Sequence, residues 1–240
     1  MPDVFQEVLS RTRAAVERYD MLPAGTQLAV GVSGGKDSLM LLAVCVQLKK
    51  ILNDRFSVTA VTLDPCFGGR ETDYGAIAAL CKQWDVPYII KRTQLADVIF
   101  EQRKEKNPCS LCARMRRGVL HATAKEAGCD TLALGHHKQD AAETFLMNLL
   151  SGGTLSCFAP KTYLDRSDIT LVRPLVFVNE ADIVRATARL QLPVVTSRCP
   201  VDGCTNRQTT GDLLRTLSTA YGPLSDKIVG AMQKAHLSGW

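Results

Sequence analysis

The chain has 240 residues and a formal net charge of +5, and 46% of its residues are hydrophobic and 22% charged. These values suit one globular α/β domain with small additions, and no apolar run reaches the length that a membrane-spanning helix needs. Nine cysteines in a chain that begins without an apolar signal segment argue against a secreted disulfide scaffold and predict a cytoplasmic protein with free thiols and metal ligands.

The first elements lead to a glycine-rich stretch. An amphipathic helix is predicted over residues 4–20, and a Pro-Ala-Gly turn follows it at residues 23–25. An apolar strand is predicted over residues 28–32 and a helix over residues 39–48. The sequence between this strand and this helix is Ser-Gly-Gly-Lys-Asp-Ser, which is the strongest local signal in the chain.

This stretch is predicted to bind phosphate through Ser33, Gly34, Gly35, Lys36, Asp37 and Ser38. Glycines let the backbone approach a ligand closely, and the free N–H groups at the start of a helix favour an anion. A Walker loop has Gly-Lys followed by Ser or Thr, whereas Asp37 follows Lys36 here. The stretch instead resembles the pyrophosphate loop of enzymes that cleave ATP between the α and β phosphates. A glycine turn without a ligand is the alternative.

The next elements alternate between strand and helix. A strand is predicted over residues 56–63, a helix over 72–84, a strand over 87–91 and a helix over 111–127. Ligands gather at the carboxyl ends of strands in open α/β sheets, so Leu63 and Asp64 are expected to flank a nucleotide. The alternative role of Asp64 is to cap the turn that follows the strand.

The second half of the chain continues this alternation. We predict strands over residues 131–135 and 171–178, and helices over 141–150, 180–190, 208–220 and 223–236. Strands that alternate with helices predict a doubly wound parallel sheet. The expected organisation is an N-terminal helix over residues 1–25, an α/β domain over 26–195, and a C-terminal extension of a cysteine-containing loop and helices over 196–240.

A polar cluster, His-His-Lys-Gln-Asp, follows the strand over residues 131–135. Because it lies at the ligand-binding edge of the predicted sheet, Gly135, His137 and Asp140 are expected to contact the nucleotide. Adjacent histidines point in different directions, which argues against a metal site here. Asp140 has a second interpretation as the N-cap of the following helix.

Four cysteines lie in polar surroundings. Cys109 and Cys112 are predicted to lie just before and within the first turn of a helix, where the helix dipole stabilises thiolates. Cys199 and Cys204 lie in a loop that contains Pro and Gly. A zinc ion bound by all four thiolates and an iron–sulfur cluster both remain open, and the spacing alone favours zinc.

Six cations surround the first cysteine pair, namely Arg103, Lys104, Lys106, Arg114, Arg116 and Arg117. Apolar residues recur at a spacing of four along the predicted helix, so one helix face packs against the core and another is cationic. The functional interpretation is a surface that contacts the phosphate backbone of a nucleic acid, and the alternative is a solvated charged face.

Motifs over nearly the whole chain resemble the tRNA 2-thiocytidine synthetase family of PP-loop ATP pyrophosphatases. Besides residues 33–38, the matching stretches are Tyr19-Asp20-Met21-Leu22, residues 109–118, residues 135–140 and Arg173-Pro174-Leu175. The resemblance implies ATP-dependent thiolation of tRNA. ATP would adenylate the C2 oxygen of a pyrimidine, expected to be cytidine, and sulfur would then displace AMP.

The resemblance also implies the parts of the site. The expected cofactors are ATP, Mg²⁺ and a [4Fe–4S] cluster on three cysteines, which replaces the zinc that spacing alone favours. Cys109 and Cys112 carry over directly, and we choose Cys199 over Cys204 as the third ligand. Catalytic roles are expected for Lys36, Asp37, Asp140 and these three cysteines. The expected partners are tRNA, a sulfur donor supplied by a cysteine desulfurase or as inorganic sulfide, and a second copy of the chain in a homodimer.

The chain departs from the family pattern at two places. The family's second Cys-x-x-Cys is here a longer spacing, Cys199 to Cys204, and its pair of aspartates is Gln139-Asp140. The terminal cysteine pairs of related 2-thiouridine synthetases are absent, which counts against that branch. Two further hypotheses are an adenylating ligase or amidotransferase-like enzyme that acts on a small molecule and carries structural zinc, and a non-catalytic iron–sulfur sensor that binds RNA.

Overall fold

The computed structural model describes residues 3–99, 108–196, 198–199 and 206–240. The strands are β1 (Gln27–Gly31), β2 (Ser57–Asp64), β3 (Tyr88–Arg92), β4 (Thr131–Ala133), β5 (Lys161–Leu164) and β6 (Ile169–Val172). The helices are α1 (Val4–Arg18), α2 (Lys36–Ile51), α3 (Gly75–Gln83), the short α4 (Leu95–Asp97), α5 (Pro108–Glu126), α6 (Lys138–Gly152), α7 (Glu180–Arg189), α8 (Asn206–Tyr221) and α9 (Leu224–Lys234). Turns of 3₁₀ helix lie at Phe67–Gly69, Pro174–Phe177 and Leu237–Gly239.

The described strands form one six-stranded sheet in the order β3-β2-β1-β4-β6-β5. All neighbouring pairs are parallel except β5 and β6, which are antiparallel. Helices cover both faces of this sheet, which confirms the predicted doubly wound α/β fold. The antiparallel edge strand β5 is an addition that the sequence did not predict.

The predicted strand over residues 171–178 is wrong in its bounds. Strand β6 ends at Val172, and residues Pro174–Phe177 form a 3₁₀ turn instead. Pro174 has no N–H group to donate to a neighbouring strand, and its ring favours the start of a helical turn. The strand therefore ends two residues before the proline, and Arg173 lies at the boundary.

The two faces of the sheet carry separate parts of the core, because side chains alternate between the faces along each strand. Leu28 and Val30 belong to the larger cluster, which also includes α1, α2, α3 and α7. Ala29 and Leu132 face the other way, into a smaller cluster that α5 covers. Helix α5 therefore lies across the ends of β1, β2 and β4, above the edge where the site forms.

The order in which successive strands join the sheet switches sides at β1. Strands β2 and β3 lie on one side of β1, and β4 and β6 lie on the other. The loops after two neighbouring parallel strands leave in opposite directions at such a point, so a crevice opens at their carboxyl ends. The loop at residues 33–38 follows β1, and the polar cluster at residues 136–140 follows β4. The topology thus places the two predicted ligand-binding stretches on the same crevice.

Three helices at the site begin three residues earlier than the sequence predicted. Helix α2 begins at Lys36 rather than Leu39, α5 at Pro108 rather than Leu111, and α6 at Lys138 rather than Ala141. Lys36 and Asp37 of the loop, Cys109 of the first cysteine pair, and Asp140 of the polar cluster therefore lie in first helical turns. There the helix N–H groups lack intrahelical partners and can bind anions.

The C-terminal helices pack on the α/β body. Helices α8 and α9 contact α6, and Trp240 is only 4% exposed. The indole N–H of Trp240 donates to the carbonyl oxygen of Phe158 at 2.8 Å, and its ring packs against the rings of Tyr19 and Phe158. These contacts fix the backbone at Phe158. The division into segments at residues 25 and 195 stays a prediction, and no helix among the described residues is both long and apolar enough to cross a membrane.

Candidate active site

Hydroxyl groups organise the loop between β1 and α2. The backbone N–H and the Oγ of Ser33 each lie 3.1 Å from Ser38 Oγ, and Ser38 Oγ donates to the carbonyl oxygen of Gly35 at 2.9 Å. The loop is therefore closed on itself around the first turn of α2. Its free N–H groups and the positive end of the helix face outward, as an anion site requires.

The backbone geometry of the site requires glycine at two positions, one in this loop and one after β4. Gly34 has φ +91°, a conformation that other residues rarely adopt, and its carbonyl oxygen accepts a hydrogen bond from Val195 N at 2.9 Å. Gly135 follows β4, and a Cβ atom there would lie 3.1–3.2 Å from backbone atoms of Asp37 and Ser38. Glycine at 135 therefore lets the end of β4 pack directly against the start of α2.

A cavity of about 760 Å³ opens at this edge of the sheet. Ser33, Asp37, Ser38, Leu63 and Gly135 are among the residues that line it, and their predicted contact with a nucleotide stays a prediction. The remaining wall includes Arg116, Arg117, His136, Thr144, Met147, Phe158 and Arg173. The volume falls in the range typical of small-molecule and cofactor sites.

His137 lies between two carboxylates. Its Nε2 is 3.9 Å from an oxygen of Asp37 and 3.5 Å from an oxygen of Asp140, and the side chain is buried. The backbone N–H of His137 donates to Asp140 at 2.8 Å, so Asp140 caps α6 from within its first turn. The capping role that the sequence left open is therefore present. The same carboxylate remains beside Asp37, where a role toward a bound nucleotide is still a prediction.

Lys36 contacts two carboxylates. Its Nζ lies 3.0 Å from Asp37 and 2.9 Å from Glu180, the first residue of α7. Burial alone would lower the pKa of Lys36, but the hydrogen bond to Glu180 and the charge of Asp37 outweigh it, and the pKa is raised. Burial likewise opposes ionisation of Glu180, but its hydrogen bond to Lys36 outweighs burial and lowers the pKa of that carboxyl. Lys36 is therefore held as a cation beside the loop.

Glu180 is a site residue that the sequence analysis missed. Its backbone N–H donates to the side-chain oxygen of Gln139 at 2.9 Å. Gln139 stands where the resembled family has an aspartate, and here its side chain fixes the start of α7. The only local signal for Glu180 was its place at the start of a predicted helix. Nothing in its spacing indicated that this helix lies beside Lys36.

Asp64 lies at the end of β2, as predicted, but its carboxylate is used by the following loop. It is fully buried and accepts hydrogen bonds from the backbone N–H groups of Cys66 and Thr72, at 3.1 and 2.8 Å. Leu63, its neighbour, lines the cavity. The structure thus supplies the turn-capping role for Asp64, and its contact with a nucleotide stays a prediction.

Three of the predicted cysteine ligands lie among the described residues. Cys109 is exposed, and Cys112 and Cys199 are half-buried. Burial raises the pKa of Cys112, the charge of Arg116 opposes this effect, and the charges of Cys199 and Cys109 add to it. The three sulfurs are therefore electrostatic neighbours, and Ala113, adjacent to Cys112, lines the cavity.

The donor chemistry of these three thiols is compatible with an iron–sulfur cluster. Among the described residues, no three His, Cys, Asp or Glu side chains are grouped closely enough to bind one metal ion. An iron–sulfur cluster does not need its ligands to meet at one point, because each thiolate binds a different iron. Soft thiolate ligands also suit iron–sulfur clusters. Cys204 lies outside the described residues, so the choice between it and Cys199 stays a prediction.

The predicted cationic surface is partly present at the site. Arg116 and Arg117 line the cavity, whereas Arg114 is exposed and does not. Arg103, Lys104 and Lys106 lie outside the described residues. Of the polar cluster, His136 rather than the predicted His137 reaches the cavity wall, where its ring packs 5.1 Å from that of Phe158. No pattern in the sequence marked Phe158 as a site residue. Arg173 lies in one of the motifs that resemble the family, but the sequence analysis assigned it no role.

The chain was compared with known proteins. The profile of the PP-loop domain family matches residues 7–197. A tRNA-cytidine(32) 2-sulfurtransferase from Syntrophotalea carbinolica is 35% identical over 240 residues, which cover 98% of this chain and 92% of that protein. The protein of the same name from Geobacter sulfurreducens is 36% identical over 205 residues, which cover 85% of this chain and 79% of that protein.

A solved structure has the same architecture. The U34-tRNA thiolase NcsA from Methanococcus maripaludis, solved with its [4Fe–4S] cluster, matches with a TM-score of 0.79 and 24% sequence identity. The match covers 97% of this chain and 78% of that chain. At this identity the likeness demonstrates a shared fold.

Replacing Glu180 tests its contact with Lys36. In Glu180→Gln the hydrogen-bonded carboxylate is lost, so the pKa of Lys36 should fall, and the neutral, nucleophilic amine should appear at lower pH. The measurement is the rate of acetylation of Lys36 as a function of pH, followed by mass spectrometry of its peptide. Glu126→Gln, which removes the surface partner of Lys91, should leave the profile of Lys36 unchanged. Identical profiles in Glu180→Gln and the wild type would contradict the contact.

Proposed function

Because the chain belongs to the PP-loop family and, within it, to the tRNA-cytidine(32) 2-sulfurtransferases, we propose that it replaces the C2 oxygen of a tRNA cytidine with sulfur at the expense of ATP. This membership confirms the resemblance that the motifs indicated. The observation that carries the proposal is the pyrophosphate loop, which opens onto a cavity whose other wall is lined by arginines. One cavity thus offers contacts for a nucleotide and for RNA.

The first step is adenylation of the base. The C2 oxygen attacks the α-phosphate of ATP, and the bond to pyrophosphate breaks. The N–H groups of the loop and the hydroxyls of Ser33 and Ser38 are placed to bind the phosphates, and the ammonium of Lys36 stabilises the charge on departing pyrophosphate. We assign Mg²⁺ to this step with Asp37 and Asp140 as the nearest carboxylates, because Mg²⁺ binds phosphate together with one or two carboxylates.

The second step replaces oxygen by sulfur. A sulfur nucleophile attacks C2, and the bond between C2 and the adenylated oxygen breaks, so that AMP leaves with that oxygen. Cys109, Cys112 and Cys199 would hold a [4Fe–4S] cluster. The cluster would supply an iron able to bind sulfide. The sulfide would come from solution, or from a cysteine desulfurase whose persulfide is reduced by two electrons from an external thiol.

The cationic residues would bind the tRNA backbone. Arg116 and Arg117 lie on the cavity wall, and Arg114 extends the cationic surface along the same helix. The predicted contribution of Arg103, Lys104 and Lys106 belongs to the same proposal. We place the reaction in the cytoplasm, where tRNA and ATP are available, and we retain the homodimer as a proposal.

From the pyrophosphate loop at residues 33–38 we expect specific products of ATP cleavage. The protein should form AMP and pyrophosphate, and not ADP, when tRNA is present. Lys36→Ala should slow this reaction on the order of a hundredfold, because a cation that stabilises the departing phosphate is lost. Chromatography of the labelled nucleotides measures both results. Lys50→Ala, an exposed change at the other end of α2, should leave the rate unchanged. Release of ADP, or an unaffected rate in Lys36→Ala, would contradict the assignment.

The proposed cluster on Cys109, Cys112 and Cys199 predicts the metal content of the protein and the activity of its cysteine variants. Anaerobically prepared protein should contain about four irons and four sulfides per chain and absorb broadly in the visible. Cys109→Ala, Cys112→Ala and Cys199→Ala should each lose the cluster and abolish thiolation, whereas Cys204→Ala should retain both. Metal analysis, visible spectra and mass spectrometry of tRNA nucleosides provide the measurements. An active, colourless protein with stoichiometric zinc would refute the cluster, and a defect in Cys204→Ala but not Cys199→Ala would reassign the third ligand.

The arginines on α5 predict salt-dependent binding of tRNA. Each lost phosphate contact should reduce the slope of log affinity against log salt by about 0.7–0.9, because fewer counterions are released. Arg116→Ala and Arg117→Ala should show this reduction in a filter-binding titration, whereas Arg13→Ala, on the exposed face of α1, should not. If affinity and slope stay unchanged in both α5 variants, this cationic face is merely solvated.

A further inference from the structure

Arg173 is a buried cation on the cavity wall. It follows β6, is 8% exposed, and lies with its guanidinium 4.8 Å from the centre of the Phe158 ring. One of its nitrogens, Nη1, donates to the carbonyl oxygen of Ala159. Its Nε is buried and has no hydrogen-bond partner among the described residues. One end of the side chain is therefore held in place, and the residue lines the cavity with a donor that has no partner among the described residues.

The charge of Arg173 lacks a counter-ion in the described part of the chain. The charged groups that act on it are Arg117, which repels it, and the thiol of Cys157. The Cys157 sulfur lies 3.4 Å from the carbonyl oxygen of Ala141 and is not a carboxylate counter-ion. Burial lowers the pKa of Arg173 to about 10, which leaves it charged at neutral pH.

An unpaired buried charge is costly, and buried charges in proteins are normally compensated. Arg173 and Arg117 together leave the cavity wall with excess positive charge. A group that enters the cavity and accepts hydrogen bonds from a guanidinium would offset this cost. A phosphate fits best, because its oxygens match the planar, forked donors of arginine.

The position of Arg173 distinguishes between two sources of phosphate. Val172 pairs with Ala133 on β4, and Ala133 pairs with Val30 on β1. Arg173 therefore lies two strands from the pyrophosphate loop, about 10 Å across the sheet. It lies instead close enough to Arg117, another residue of the cavity lining, to feel its charge. The phosphates of ATP are accounted for by the loop, and the far wall is left for the RNA.

We propose that Arg173 binds a phosphodiester group adjacent to the target nucleotide of the tRNA, inside the cavity. The proposal rests on the proposed function, because it assumes that the RNA substrate enters this cavity. It follows that the target nucleotide leaves the stacked RNA to react, as in other enzymes that act on a base. Phe158, fixed by Trp240 and stacked on the guanidinium, positions Arg173 for this contact.

The test compares Arg173→Met and Arg173→Lys with Arg166→Met. Arg166 is exposed on the turn between β5 and β6, at the opposite end of the same hairpin, and the change removes the same charge. Arg173→Met should bind tRNA about tenfold more weakly and reduce the salt slope by about 0.7. Arg173→Lys should retain most of the slope because it keeps the charge. Arg166→Met should match the wild type, and the dissociation constant for ATP should be unchanged in all three.

The slope of log tRNA affinity against log salt shows whether Arg173 contacts phosphate. If Arg173 were purely structural, the slope would not depend on whether the replacing side chain is charged. Weaker ATP binding in Arg173→Met with an unchanged tRNA slope would assign the residue to the nucleotide and overturn the proposal. An unchanged slope in both Arg173 variants, with normal tRNA binding by the wild type, would also overturn it. Absence of tRNA binding by the wild type would overturn the proposed function and this inference together.

Discussion

The contact between the end of β4 and the start of α2 is the constraint on which the site depends. Gly135 approaches the backbone of Asp37 and Ser38 so closely that a side chain would not fit. This approach brings the polar cluster after β4 against the first turn of α2. Because the helix turn carries the pyrophosphate loop and the cluster carries His137 and Asp140, one packing contact brings together the two stretches that the sequence predicts to contact the nucleotide.

The charges around the cavity are arranged in two groups. At the loop, Lys36 is paired with carboxylates of Asp37 and Glu180, so its positive charge is compensated before any ligand binds. On the far wall, Arg116, Arg117 and Arg173 supply positive charge with less compensation among the described residues. This distribution of charge is the reason for the proposal that the RNA contacts the arginines and the nucleotide contacts the loop.

The cysteines illustrate how family resemblance and local spacing can disagree. The spacing of Cys109 and Cys112 is compatible with zinc or with iron and sulfur, because both are bound by thiolates on a loop or helix start. In the structure Cys109 lies in the first turn of α5, Cys112 lies at the start of its second turn, and Cys199 lies near enough to influence Cys112. The structure therefore brings the three thiols together without deciding which metal they bind.

The sequence determined those features whose cause is local. Six residues of the loop define a phosphate site because glycine freedom and a helix N-terminus act over a few bonds, and alternating strands and helices define the doubly wound sheet for the same reason. Only the tertiary structure could show that Glu180 contacts Lys36, that Gln139 fixes the start of α7, and that Trp240 holds Phe158 against Arg173. These contacts join residues that are far apart in the chain, and no local pattern records which of many polar or aromatic side chains will meet. The edge strand β5 belongs with them, because its pairing with β6 depends on the position of the completed sheet.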